Sequence, residues 1–109
     1  IYSLKLFIMD YLFGIILIFI VTITKTLAVG VNYFGTHGGA ESVTLPASAG
    51  MSVGQSVKVK AGSDCSASNK LTINRAGSQT IDGVSSIALE SPFAAVELIY
   101  VAADTWRVF

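Results

Sequence analysis

Two patterns of hydrophobic and polar residues divide the chain near residue 24. The first has no alternation: from Tyr11 to Thr24 (YLFGIILIFIVTIT) fourteen consecutive residues carry no charge. From Thr26 onward the hydrophobic stretches become short and are separated by Gly, Ser, Asn and Asp, the pattern of an all-β domain. Gln55–Lys60 (QSVKVK) alternates cleanly, with Val57 and Val59 on one face and Lys58 and Lys60 on the other. Such a strand has one dry face and one wet face. Ser42–Leu45 also alternates and is stopped by Pro46, which has no backbone donor with which to continue a ladder. Thr26–Phe34 (TLAVGVNYF) reads as one strand, bulged or bent at Gly30. Leu71–Ile73, Gln79–Ile81 and Ser86–Leu89 read as further short strands, with Asp82-Gly83 a tight turn after Ile81. Ala94–Val101 and Thr105–Phe109, separated by Ala102-Ala103-Asp104, predict a terminal hairpin. Ser48–Gly54 is expected to be a connection with Met51 and Val53 turned inward.

These spacings predict a mainly β domain over residues 24–109, an antiparallel β-sandwich or β-prism-like arrangement of about seven or eight short strands. One apolar α-helix is expected to precede it, in an arm over residues 1–23. The expected core is Val43, Leu45, Val57, Val59, Leu71, Ile73, Ile81, Ile87, Leu89, Val96, Leu98, Tyr100, Trp106 and Val108. A domain of this size buries only about 60% of its unfolded surface, so association with further copies would help it.

The arm admits three readings. A bilayer crossing needs roughly 20 apolar residues, and the uncharged run falls short of that. Extending it back to Leu6 places Asp10 inside the span, at about 2.5–3.5 kcal/mol if it lies near the centre. A signal sequence would use Lys5 as its basic start and Thr26-Leu27-Ala28 as its small-residue cleavage site. A membrane anchor would set Lys5 and Lys25 at the two interfaces, and a packed helix would bury the same run against protein.

Composition removes several classes. Seven Lys+Arg balance seven Asp+Glu, and 52% of the residues are hydrophobic, far from the disordered regime. Residues 31–109 carry five cations and six anions. Lys58, Lys60, Lys70 and Arg75 form the cationic cluster, and against those anions they read as a solvated face, with no nucleic-acid partner expected. A single cysteine, Cys65, and a single histidine, His37, exclude an intrachain disulfide and a structural zinc finger.

The candidate chemistry is sparse. His37 lies in the glycine loop Gly35–Gly39 without a nucleophile motif nearby, and an exposed loop histidine outweighs a catalytic or metal-binding one. Cys65, in the polar loop Ala61–Asn69, reads as an inert or merely exposed thiol, since a nucleophile needs a base beside it. Asp64, Asp82 and Asp104 sit in turns where their carboxylates can bond the backbone, although Asp64 with loop carbonyls could hold calcium weakly. Trp106 and Tyr100 read as core; exposed, they would instead suggest a sugar platform. These residues assemble no enzyme, and no catalytic, cofactor-binding or metal residue is expected.

Read in order, SVTLPASAG (42–50), VGQSVKVKAG (53–62), NKLTINRAGSQTIDG (69–83), ALESPFAAVELIYV (88–101) and DTWRVF (104–109) resemble a β-rich module of bacteriophage virion proteins, found in tail fibres, tail spikes and capsid-surface proteins. The matching positions are Val43-Thr44-Leu45-Pro46, Val57-Lys58-Val59, Leu71-Thr72-Ile73, Ile81-Asp82-Gly83 and Trp106-Arg107-Val108, and TKTLAVGVNYFG (24–35) looks like the module's entry strand. The resemblance implies a virion structural protein, surface-exposed and commonly trimeric, that acts in assembly and attachment with other virion proteins. Its structural positions here would be Pro46 ending a strand, Asp82 and Gly83 in the turn, Trp106 plugging the core and Arg107 pointing away from it. Residues 1–23 have no counterpart in that module. They would anchor it through Tyr11 to Ile23 in a viral membrane or host envelope, or pack as a stem where copies meet. The alternative function is a secreted or envelope-anchored bacterial β-domain that builds filaments or binds surface glycans.

Overall fold

The computed structural model of the chain describes residues 25–109. The expected helix of the arm and its membrane contact through Tyr11–Ile23 lie outside the described residues.

Among the described residues nine strands follow one another: β1 (Lys25–Thr26), β2 (Gly30–Phe34), β3 (Glu41–Thr44), β4 (Ser56–Ala61), β5 (Leu71–Asn74), β6 (Thr80–Ile81), β7 (Ser86–Leu89), β8 (Ala95–Ala102) and β9 (Thr105–Val108). Between β3 and β4 lies one 3-10 turn, Ser48–Gly50. The strands form a four-stranded sheet in the order β1-β3-β5-β7 and a five-stranded sheet in the order β2-β4-β8-β9-β6.

Both sheets are mixed, which corrects the expected antiparallel arrangement. β1 runs parallel to β3, β3 to β5, β2 to β4 and β6 to β9, whereas β5–β7, β4–β8 and β8–β9 are antiparallel. From β1 to β8 every connection crosses to the other sheet. A chain that leaves one sheet, runs back along the other and returns points the way it first ran, so β1, β3 and β5 stack in parallel. Alternation reports which face of a strand is buried and is the same for either direction.

The expected single strand Thr26–Phe34 is such a crossing. Its two halves are β1 and β2 in different sheets, and Gly30 supplies the left-handed conformation at the bend, with φ 100°. Asn32 holds the crossing in place: its side chain accepts from the Ala28 N–H and donates to the carbonyls of Ala28, Gly30 and Lys58.

The core lies between the sheets. Val43, Leu71 and Ile73 face it from one side, Val57, Val59, Leu98, Ile81 and Trp106 from the other, all essentially without solvent contact. Leu27 and Ala61 join them although neither was expected in the core, whereas Ile87 and Val96 are partly buried at its margin. Two positions are corrected. Val53 is 69% exposed, because it occupies the tip of the turn closed by the Gln55 N–H on the Ser52 carbonyl. Val108 is 36% exposed, because β6 covers β9 only at Thr105 and Trp106 and leaves its last residues flanked by solvent.

Candidate functional site

Pro46 follows Leu45, whose N–H makes the last bond of its strand to the Asn74 carbonyl. The Pro46 carbonyl then accepts from the side chain of Gln79, a buried polar residue that sequence pattern did not single out. The Gln79 amide also donates to Ser48 Oγ, and its oxygen accepts from the Ala76 N–H and from the indole N–H of Trp106 at 3.0 Å. Trp106 is fully buried and meets Tyr100 edge to face, with ring centroids 5.2 Å apart. Tyr100 is 5% exposed, and its hydroxyl accepts from the Asp104 N–H. Neither aromatic is therefore available as a platform for a sugar.

Asp82 and Gly83 both have positive φ, 48° and 86°, and the Ile81 and Val84 backbones exchange hydrogen bonds across them. That is the conformation for which Asp-Gly is chosen. The Asp82 carboxylate also accepts from the Val108 N–H and lies 3.9 Å from Arg107. Arg107 points outward and is half exposed.

His37 is not the exposed histidine its glycine loop suggests: its side chain is 1% exposed. Ring Nε2 lies 2.7 Å from the Asn69 carbonyl, and ring Nδ1 faces Asp64 Oδ1 at 3.4 Å. Asp64 Oδ2 accepts from the backbone N–H groups of His37 and Gly38, so the carboxylate ties the loop after β2 to the loop after β4. The Gly38 N–H is the largest influence holding the Asp64 carboxyl below its ordinary value. Partial burial opposes it, while the His37 N–H, the imidazole and the Asn69 amide add to it. Cys65 is also buried, and its thiol donates to the Leu89 carbonyl. Ser48 Oγ donates to Asp104. Among the described residues no three His, Cys, Asp or Glu side chains gather as metal ligands, and no helix is long and apolar enough to cross a membrane.

The outer face of the five-stranded sheet carries exposed apolar side chains among paired charges, with Lys58 3.8 Å from Glu97. Among the described residues β2 is one edge of this sheet, and there Val31 is 73% and Tyr33 64% exposed. Beside them stand Lys58 and Lys60 of β4, then Glu97 of β8 and Phe109. A shallow groove of about 350 Å³ runs over these rows. Of the other edges, β1 and β6 have two residues each and β1 carries Lys25 paired with Glu41, whereas β7 (SIAL) has no charge but turns Ser86 and Ala88 outward, with no large apolar side chain exposed. β2 has five residues, no charge and no proline.

Phe93 borders the same face. It takes φ 60° in the turn closed by the Ala94 N–H on the Ser91 carbonyl, a conformation that costs a bulky L-residue about 1–2 kcal/mol and glycine almost nothing. Its ring is nevertheless 55% exposed, with Lys60 Nζ 5.9 Å from the ring centroid and 2.6 Å from the Phe93 carbonyl. An exposed aromatic held in a strained backbone points to a contact role. Comparison with family models, with curated proteins and with solved structures finds no match for this chain.

Proposed function

We propose that the chain is a virion structural protein of bacteriophage type, in which the β domain makes assembly and surface contacts and the apolar arm anchors it or forms a stem. The resemblance of residues 24–109 to the phage module motivates this reading. The single observation that supports it best is the apolar β2 edge, where Val31 and Tyr33 stand in solvent with no strand beyond them among the described residues. Soluble monomers blunt such edges, and an edge left open is a template for another chain. The occupant we assign is a second copy of this chain, three copies being the arrangement that the resemblance implies. Virion proteins of other kinds then dock on the remaining outer surface, with no nucleic acid among the partners.

Sedimentation of the full chain at micromolar concentration tests the assignment. The wild type is expected to run as a discrete oligomer, and the pair Val31→Lys with Tyr33→Lys to shift it towards the monomer without loss of β signal in circular dichroism. A wild-type chain that stays monomeric, yet binds a surface glycan, would transfer the assignment to the secreted or envelope-anchored alternative.

A further inference from the structure

The His37–Asp64 contact has a proton count that only one arrangement satisfies. The Asn69 carbonyl can only accept a hydrogen bond, so Nε2 of His37 carries a proton. Were the ring neutral, Nδ1 would then present a lone pair to Asp64 Oδ1. Both atoms are buried, and neither makes a hydrogen bond, to the other or to any further group. Two facing acceptors in a site sealed from water are each left with the full desolvation penalty. A proton at this contact turns the two facing lone pairs into a favourable pairing, and its position follows from the other carboxylate oxygen. Asp64 Oδ2 already accepts two backbone N–H groups at 2.9 and 3.0 Å and lies 3.3 Å from the Asn69 amide nitrogen. Those donors favour the ionised carboxylate, so the proton belongs on Nδ1 and the pair is imidazolium with carboxylate.

We propose that His37 and Asp64 form a proton-operated clasp: while the ring is doubly protonated, their ion pair reinforces the backbone bonds that join the β2–β3 loop to the β4–β5 loop, and loss of the Nδ1 proton loosens that junction. Nearby ionisable groups leave the clasp to these two. Glu41 at the start of β3 pairs with Lys25 of β1, and Lys70 before β5 lies 3.9 Å from Glu90 after β7. The thiol of Cys65, next to Asp64, is spent on the Leu89 carbonyl. The two loops follow the parallel strands β2 and β4, so weakening the clasp loosens the loop at the end of the exposed β2 edge. Contacts made through that edge would thereby respond to the pH of the compartment.

Nitrogen-15 spectra of the ring and amide hydrogen exchange, both recorded on the full chain, test the clasp. At about pH 6 both ring nitrogens should carry protons, and the His37 and Gly38 amides should be protected. At about pH 9, after correction for intrinsic exchange, protection at these two amides should fall about tenfold, the loss expected when a buried ion pair becomes two facing acceptors. Asp64→Asn should remove the step between the two pH values. A ring that stays in the neutral Nε2–H form at about pH 6, or protection unchanged between the two conditions, would overturn the proposal. The spectra use the wild type, so a variant that fails to fold leaves the test intact.

Discussion

Gln79 shows how much can depend on one side chain. It closes four hydrogen bonds, one of them to the indole of Trp106, in a place without solvent. Gln79→Leu keeps most of the volume and leaves the indole N–H and the Ala76 N–H without partners. It should cost about 3 kcal/mol, read from the urea midpoint. Asp64 gives the domain an acid-side dependence. Its folded value lies below the ordinary 3.8, so its stabilisation is complete above that value and fades as the pH falls through the lower folded one. Urea midpoints measured downward from about pH 5 should drop in the wild type and drop less in Asp64→Asn. Phe93 is expected to behave in the opposite way to Gln79. Phe93→Gly relieves the positive φ and should leave stability unchanged or raise it by up to about 1 kcal/mol, while weakening association of the full chain in sedimentation.

Among the elements, the crossing between sheets sets the tightest constraint. A Cβ on Gly62 would sit inside the Gly35 carbonyl, where the ends of β2 and β4 meet, and neither backbone can yield. Gly62→Ala should therefore cost about 3 kcal/mol or more by denaturation. Gly83→Ala, at φ 86° but in open space, should cost only about 1 kcal/mol. The contrast between them was half visible in the sequence. Asp82-Gly83 announces its turn because the requirement is local to two residues. Gly62 announces nothing, because what forbids a side chain there is the backbone of a residue 27 positions earlier. β4 was equally plain in its alternating valines and lysines, but its parallel pairing with β2 was not, since pairing direction leaves no mark on alternation. His37 was misplaced for the same reason: its burial is supplied by Asp64 and Asn69 on another loop.

At the scale of the molecule, the β8–β9 hairpin is inserted between β4 and β6 and makes the five-stranded sheet continuous. A chain ending at Asp104 would lose Trp106 from the core and the strand that pairs with β6. It should show no cooperative unfolding transition, whereas the full domain should unfold with coincident midpoints by Trp106 fluorescence and by far-ultraviolet circular dichroism. By itself the sequence determined that the domain is built of short strands, which faces of β3, β4, β5 and β9 turn inward, and where Pro46 and Asp82-Gly83 end or reverse the chain. Those features depend on neighbours a few residues away. Only the tertiary structure decided that successive strands alternate between two sheets, that β2 is left as an open edge and that His37 lies against Asp64. Each of these depends on which distant segment occupies the adjacent space, a choice made by the packing of the whole domain and written in no single stretch of it.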